Sequence, residues 1–267
     1  MDSTTTASHN AERQGITGTP EQFVLGNRFP KTSTNTQQGQ SSTNTGYKKT
    51  SSAKYNVELL KELANDFGYL LNRTDISDCW LNVNDTYMAV HQCVLAARSN
   101  TFSAIMSGNN SKLDPDIKKE LQTLHKNDKL VIFIKKTDPE IMKQVIIFMY
   151  TAKCELNERN AFYLFDAAGR YDIKSLKVYT AQFLINHINR HNILRLIESA
   201  YIYNNILLKQ SCIDYFIDHG REVMDVSELW KPFAEKYPAI VSELLYWTVH
   251  KDENRERVER SQLQSQW

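Results

Sequence analysis

The stretch SDCWLNVNDTYMAVHQCVLAARSNTFSAIM, residues 77–106, decides the fold. Residues 78–83 and 87–90 are rich in apolar and β-branched side chains, which is typical of short strands. Asn84 and Asp85 stand between them, and such a pair tolerates the positive φ angles of a tight hairpin turn. Residues 94–106 then predict a helix. This part of the chain therefore combines a β-hairpin with a helix that follows it directly.

Upstream of the hairpin, a polar segment gives way to an amphipathic one. Residues 1–54 are rich in Ser, Thr, Asn, Gln and Gly, which is too polar to offset the entropy of ordering, so we expect a disordered tail. From Tyr55, apolar residues recur at helical spacing. They are Leu59, Leu60, Leu63, Phe67, Leu70 and Leu71. Such a stripe packs against its own domain or against a partner, and periodicity alone leaves both open.

Downstream, one more strand is followed by a long helical region. Residues 129–134 (KLVIFI) have the composition of a buried strand, and Asp138 with Pro139 predicts the start of a helix that continues to Tyr150. Every later segment with a clear period predicts a helix. These segments are 161–168, 173–188, 193–204, 208–219, 226–236 and 238–249. We expect residues 251–267, which carry many charges, to form a solvated tail.

Between the helix predicted over residues 94–106 and the KLVIFI strand lies the segment 107–129, whose inner part LDPDIKKELQTLH also predicts a helix. Asp114 and Pro115 suit its first turn. Ile117, Leu121 and Leu124 would then share one face. This face would either cover the chain's own domain or contact a partner.

Composition limits the classes of partner. The 32 basic and 31 acidic residues nearly cancel, so no large positive field is available to attract nucleic acid. The chain contains no run of about 18 apolar residues and no apolar signal core, so we expect an intracellular protein of the nucleus or the cytoplasm without membrane contact. The four cysteines form no CxxC pair, which favours reduced, buried thiols over zinc or disulfides.

Residue patterns typical of catalysis are missing from the sequence. No nucleophile stands in a recognisable arrangement with a base, and no glycine-rich phosphate loop occurs. His187 and His191 are four residues apart but belong to no HExxH motif, which favours capping or surface roles over a metal site. The sequence therefore predicts no enzyme, no catalytic residue, no cofactor and no metal.

The stretch 77–106 resembles the BTB/POZ signature, in which an acidic residue opens a strand and a histidine precedes a VLAARS helix. Asp78 and His91 occupy those places, and the resemblance implies that they are structural. The segments DPEIMKQVIIFMYTAK (138–153) and AFYLFDAAGRYDIKSLKVYTAQFL (161–184) are similar to later parts of the same family. The resemblance implies an α+β fold: a small mixed sheet flanked by helices, followed by a helical BACK-like segment.

Two flanking segments narrow the resemblance to speckle-type POZ proteins. ELANDFGYLLNRTDISD (62–78) resembles their first helix, and residues 213–249 resemble their closing BACK-like helices, including Trp230 and Tyr237. We expect a tail at 1–54, a BTB/POZ domain at 55–188, a BACK-like extension at 189–250 and a charged tail at 251–267. Residues 1–54 are too short and too polar for the substrate-recognising MATH domain of that group, so we expect this domain to be lacking.

The same resemblance implies the partners. One is a second copy of the chain or another BTB protein, bound through an apolar seam formed by Leu59, Leu63, Phe67 and Leu70. Another is the third cullin, facing a surface that includes Phe102, Met106, Phe148 and Tyr150. The helix predicted within residues 107–129 would either cover this face or offer Ile117 and Leu121 as substitute anchors. Residues 107–129 nevertheless contain no hydrophobic-x-Glu motif, which such adaptors use for cullin binding, and Gln92 replaces a basic residue frequent in transcriptional repressors.

The implied function is a dimeric adaptor or scaffold of a cullin-RING ubiquitin ligase that links an unidentified client protein to ubiquitination. The alternative is an oligomerisation or regulatory module without ligase activity. Cullin binding separates the two hypotheses, since both expect dimers.

Overall fold

The computed structural model describes residues 50–109, 111, 113–126, 128–253 and 256. The predicted tail up to residue 49 and most of the charged end lie outside the described residues. The elements of the first part are α1 (Thr50–Tyr69), a 3-10 turn (Leu70–Asn72), β1 (Cys79–Val83), β2 (Thr86–Val90), α2 (Gln92–Arg98), α3 (Asn100–Met106), α4 (Pro115–Glu120), β3 (Leu121–Lys126), β4 (Lys129–Ile134) and α5 (Pro139–Thr151).

The remaining elements are helices, as predicted. They are α6 (Ala161–Arg170), α7 (Lys174–Ile185), α8 (Ile193–Ile202), α9 (Ile206–Asp225), α10 (Ser227–Lys236) and α11 (Pro238–Val249). Helix α9 is kinked at His219, where φ is −125° and ψ is 16°. Among the described helices, none combines the length and the apolar character needed to cross a bilayer.

The described strands form one four-stranded mixed sheet in the order β2-β1-β4-β3. Strand β1 pairs antiparallel with β2 and parallel with β4, and β3 pairs antiparallel with β4. The β1–β2 connection is the predicted hairpin, with φ of 47° at Asn84 and 67° at Asp85. Helices flank the sheet, so the predicted α+β architecture is confirmed.

Three boundaries differ from the sequence interpretation. Helix α1 begins at Thr50, so residues 50–54, which were assigned to the tail, are helical. The helix predicted over residues 94–106 is two helices, because Ser99 has extended backbone angles (φ −139°, ψ 123°). The Ser99 hydroxyl accepts a hydrogen bond from the amide of Phe102 and donates one of 2.5 Å to the carbonyl of Tyr171. These bonds favour a break over a continuous helix.

The third difference is in the segment 107–129. Asp114 accepts from the amide of Asp116 over 2.9 Å and Pro115 occupies the first turn, as predicted. The helix nevertheless ends at Glu120, and Leu121 begins a strand that pairs with Ile134. Leu121 and Leu124 therefore do not share a helical face with Ile117, because the free edge of β4 offers this stretch a ladder of backbone hydrogen bonds.

Two apolar clusters form the interior. The first joins the inner side of the sheet to α2, α3 and α5, and the second extends from α6 to α11. Helix α6 serves both, because Leu164 and Ala168 belong to the first cluster while Ala161 and Phe165 belong to the second. The α6 helix thus connects the sheet-bearing part of the chain to the helical part.

Candidate functional site

Helix α1 carries an apolar stripe that the rest of the described chain leaves open. Leu59, Leu63 and Phe67, spaced four residues apart, are 46%, 52% and 42% exposed. Leu70, the fourth residue of the predicted seam, lies in the 3-10 turn and packs partly buried against the first cluster. At Gly68, α1 approaches α5 so closely that an added Cβ would lie 3.0 Å from Cγ2 of Thr151. Helix α1 is therefore held by α5 at its end while its stripe is available for contact.

Asp78 and His91 hold the hairpin against the neighbouring helices. The Asp78 carboxylate accepts from the amide of Gln92 over 2.8 Å, at the first turn of α2. The hydroxyl of Tyr150 accepts from the amide of His91 over 2.8 Å and lies 2.9 Å from its Nδ1. Burial raises the pKa of Tyr150 to about 12, so its hydroxyl stays protonated. This geometry serves structure and holds no exposed acid or base pair.

The six residues assigned to a cullin face differ in burial. Phe102, Phe148 and Tyr150 are buried, whereas Met106, Ile117 and Leu121 are half-buried. The Phe102 ring stacks on Tyr171 with centroids 5.4 Å apart. The sequence interpretation is corrected at the three aromatic positions: their side chains point into the first cluster and can only support a surface from beneath.

Sequence reasoning missed an exposed apolar group at the turn between α8 and α9. Ile202, Ile206 and Leu207 are 62%, 73% and 63% exposed. Ile202 borders a groove of about 550 Å³, which Ile117 on α4 lines as well. The sequence contains a signal for this exposed group, because more apolar residues surround the turn than one buried helical face can hold.

A network of charges fixes α4 beside this groove. Arg170 donates to Glu120 and to Asp166, each over 2.9 Å. Glu120 also pairs with Lys136 over 2.5 Å, and the hydroxyl of Tyr203 donates to Asp166 over 2.6 Å. Burial on its own would lower the pKa of Arg170, but Asp166 and Glu120 outweigh it and raise that pKa. The network joins α4, α6 and the α8–α9 turn.

The cysteines and histidines offer no metal site among the described residues. All four cysteines are free, and Cys93 is exposed, which corrects the expectation of buried thiols at that position. Burial raises the pKa of Cys79 to about 12, so that thiol is a poor nucleophile. His187 stacks on Phe183 with ring centroids 4.1 Å apart, while Nε2 of His191 accepts from Arg190. The two histidines therefore engage different partners.

Residues 67–188 match the family model of the BTB/POZ domain. TD and POZ domain-containing protein 1 of Mus musculus is 28% identical over 183 residues, which are 68% of this chain and 46% of the mouse protein. TD and POZ domain-containing protein 1-like, also from Mus musculus, is 27% identical over the same shares of both chains. The chain thus spans about half the length of these relatives.

Two solved structures are similar as well. The BTB domain of zebrafish PATZ1 is 19% identical, with a TM-score of 0.36, and the match covers 51% of this chain and 95% of that one. The BTB domain of human gigaxonin is 16% identical, also with a TM-score of 0.36, and the match covers 55% of this chain and 99% of that one.

Proposed function

From the BTB/POZ domain that this chain carries at residues 67–188, we propose a dimeric adaptor that links a client protein to a cullin-RING ubiquitin ligase and performs no bond chemistry itself. The exposed stripe on α1 is the observation that carries the proposal. The relatives found are TD and POZ domain proteins, so the narrower likeness to speckle-type POZ proteins is part of this proposal.

Dimerisation is supported by the unfavourable exposure of the apolar stripe in a monomer. Leu59, Leu63 and Phe67 expose about half of their surface to water. Full burial of such a side chain contributes about 1.5–3 kcal/mol, so burying the exposed half contributes about half of that. A two-fold interface is self-complementary, so one stripe can cover the same stripe of a second copy. Leu70 would border this seam from its position against the first cluster. Another BTB protein with a similar helix could replace the second copy.

We expect Leu63→Asp to convert the dimer to a monomer, because the seam would bury an unpaired carboxylate at a cost of several kcal/mol. Sedimentation velocity on the full chain measures the change. Val178→Asp on α7 is the matched control, since Val178 is 49% exposed and Leu63 is 52% exposed. An unchanged dimer for Leu63→Asp would remove the α1 stripe as the seam.

For the cullin we propose the groove between α4 and the α8–α9 turn. Ile117 and Ile202 line this groove, and Ile206 and Leu207, which follow the groove residue Asn204 in the chain, are exposed apolar residues as well. Met106 and Leu121, both half-buried, would contribute at its margin. Because residues 107–129 lack a hydrophobic-x-Glu motif, the α8–α9 turn would supply the apolar anchors that this motif otherwise provides.

We expect Ile202→Asp to weaken binding of the third cullin's N-terminal domain by about 1–3 kcal/mol, as for the loss of one apolar anchor. Titration calorimetry with the purified dimer measures the affinity. Leu245→Asp on α11 is the control, because Leu245 is also exposed (45%, against 62% for Ile202) but does not line the groove.

The alternative function is an oligomerisation or regulatory module without ligase activity. It is supported by the α1 stripe alone and needs no second surface. Calorimetry separates the two functions. A dimer that binds no cullin domain would favour the module, whereas binding that Ile202→Asp leaves unchanged would keep the adaptor but move its docking surface elsewhere.

A further inference from the structure

The outer side of the sheet presents apolar and aromatic side chains to solvent. The inner side carries Leu81 and Ile132, which are fully buried, so the alternate residues of each strand point outward. The register places Trp80 beside Val131, and Val131 beside Leu124, in one row across three strands. Leu124 is 53% exposed, whereas Val131 between it and Trp80 is only 4% exposed. Gln122, Lys126 and Lys129 lie on the same side, so this face mixes apolar and aromatic residues with polar ones, whereas a solvated sheet face is usually polar.

Tyr87 of the edge strand β2 extends this surface. It is 55% exposed, and its ring meets the ring of Trp80 edge to face with centroids 6.3 Å apart. The two rings border an open cavity of about 390 Å³, with Lys126, Lys129 and Val131 as its other lining residues. An apolar side chain of a partner could enter this cavity and contact both rings.

Two lysines stand directly opposite each other at the rim of the cavity. Lys126 of β3 pairs with Lys129 of β4, so both side chains project on the outer side, and like charges placed this way repel. The Lys129 ammonium lies 5.8 Å from the centroid of the Trp80 ring and donates to the hydroxyl of Ser77. The nearby Asp78 carboxylate accepts from the amide of Gln92 instead.

We propose that this outer face binds an acidic peptide segment in which an apolar side chain is flanked by carboxylates. A carboxylate between Lys126 and Lys129 relieves their repulsion, while the apolar side chain enters the cavity beside Trp80 and Tyr87. Lysines beside aromatic rings also suit a single-stranded nucleic acid. The near-zero net charge of +1 and the presence of only two lysines in the cavity lining favour the peptide.

The residues that carry this proposal belong neither to the α1 stripe nor to the groove beside α4. Its outcome is therefore independent of dimerisation and of cullin binding. The proposal gives the adaptor a surface on the sheet that binds a client or regulator. Part of this surface is formed by β3, a segment for which sequence periodicity predicts a helix.

The test is a selection from a displayed random dodecapeptide library on the full chain, followed by fluorescence polarisation with the most enriched peptide. We expect sequences with Asp or Glu on both sides of an apolar residue, and at least tenfold weaker binding to the double variant Lys126→Glu, Lys129→Glu. Tyr87→Ser should weaken binding as well, with the two lysines unchanged. A twelve-residue oligouridylate is the comparison ligand.

The matched control is Lys153→Glu with Lys231→Glu, which changes the net charge equally at two exposed positions outside the cavity lining. Circular dichroism verifies that each variant is folded. Three outcomes overturn the proposal: no enriched sequence, an enriched sequence without acidic residues, or equal binding by both double variants. Tighter binding of the oligouridylate than of any peptide would also overturn it, in favour of nucleic acid.

Discussion

Replacing Arg170 with methionine should lower the free energy of unfolding by about 3–5 kcal/mol, which is the usual effect of removing one partner from a buried ion pair. The Glu120 side chain is only 10% exposed, and the Arg170 side chain only 19%. Without the guanidinium, Glu120 keeps only Lys136, whose side chain is 62% exposed. Asp166 keeps only the hydroxyl of Tyr203. Methionine preserves most of the side-chain volume, so the effect comes from the charges.

Urea denaturation followed by circular dichroism measures this loss. Lys119→Met is the matched control, because the Lys119–Asp116 pair is solvated, with side chains 78% and 79% exposed, and such pairs contribute about 0–1 kcal/mol. Arg170→Met combined with Glu120→Gln should be less destabilising than the sum of the single changes, since the second change removes the stranded carboxylate. A loss below 1 kcal/mol for Arg170→Met would show that the network does not hold α4.

The position of Arg170 explains how α4, α6 and the α8–α9 turn come to border one groove. The preceding residue, Gly169, has no side chain, and an added Cβ would lie 2.3 Å from Cγ of Tyr203. Tyr203 can therefore pack directly on α6 and donate to Asp166. The neighbouring Ile202 is then held at the edge of the groove. The proposed docking groove thus depends on buried charges and on one missing side chain.

Sequence reasoning succeeded where local chemistry decides the structure. Asn84 and Asp85 adopt the positive φ angles expected of a hairpin. Asp138 accepts from the amides of Glu140 and Ile141 at the start of α5, as its position before Pro139 predicted. At these positions the contacts that determine the structure join residues close together in the chain, so a local sequence pattern predicts them.

Sequence reasoning failed where residues far apart in the chain determine the structure. Strand β3 exists because Leu121 to Lys126 can pair with β4, and the helical spacing of Leu121 and Leu124 carries no information about that edge. The break at Ser99 depends on the carbonyl of Tyr171, 72 positions further along the chain. Partnerships of this range have no signature in a single sequence.

The candidate site shows the same limit. The spacing of apolar residues in the sequence reveals a helical stripe such as that of α1. Whether the stripe is exposed is known only from the structure. Apolar residues of a core and of a docking surface are chemically alike, so the pattern could not tell that Phe102 is fully buried while Ile206 is 73% exposed. For this reason the sequence interpretation assigned buried aromatic residues to the cullin face and did not identify the exposed apolar residues of the α8–α9 turn.

The variant Phe102→Ala tests whether Phe102 belongs to the core or to a docking surface. Because Phe102 is fully buried and stacks on Tyr171, we expect the free energy of unfolding to fall by about 3–5 kcal/mol, from lost burial and from the cavity that remains. Urea denaturation measures this, with Tyr163→Ala as the control, since Tyr163 is 50% exposed. In calorimetry below the unfolding transition, the folded fraction of Phe102→Ala should bind the cullin domain as the unaltered chain does. Stability within 1 kcal/mol of the unaltered chain, together with weakened cullin binding, would return Phe102 to the docking surface and contradict its place in the core.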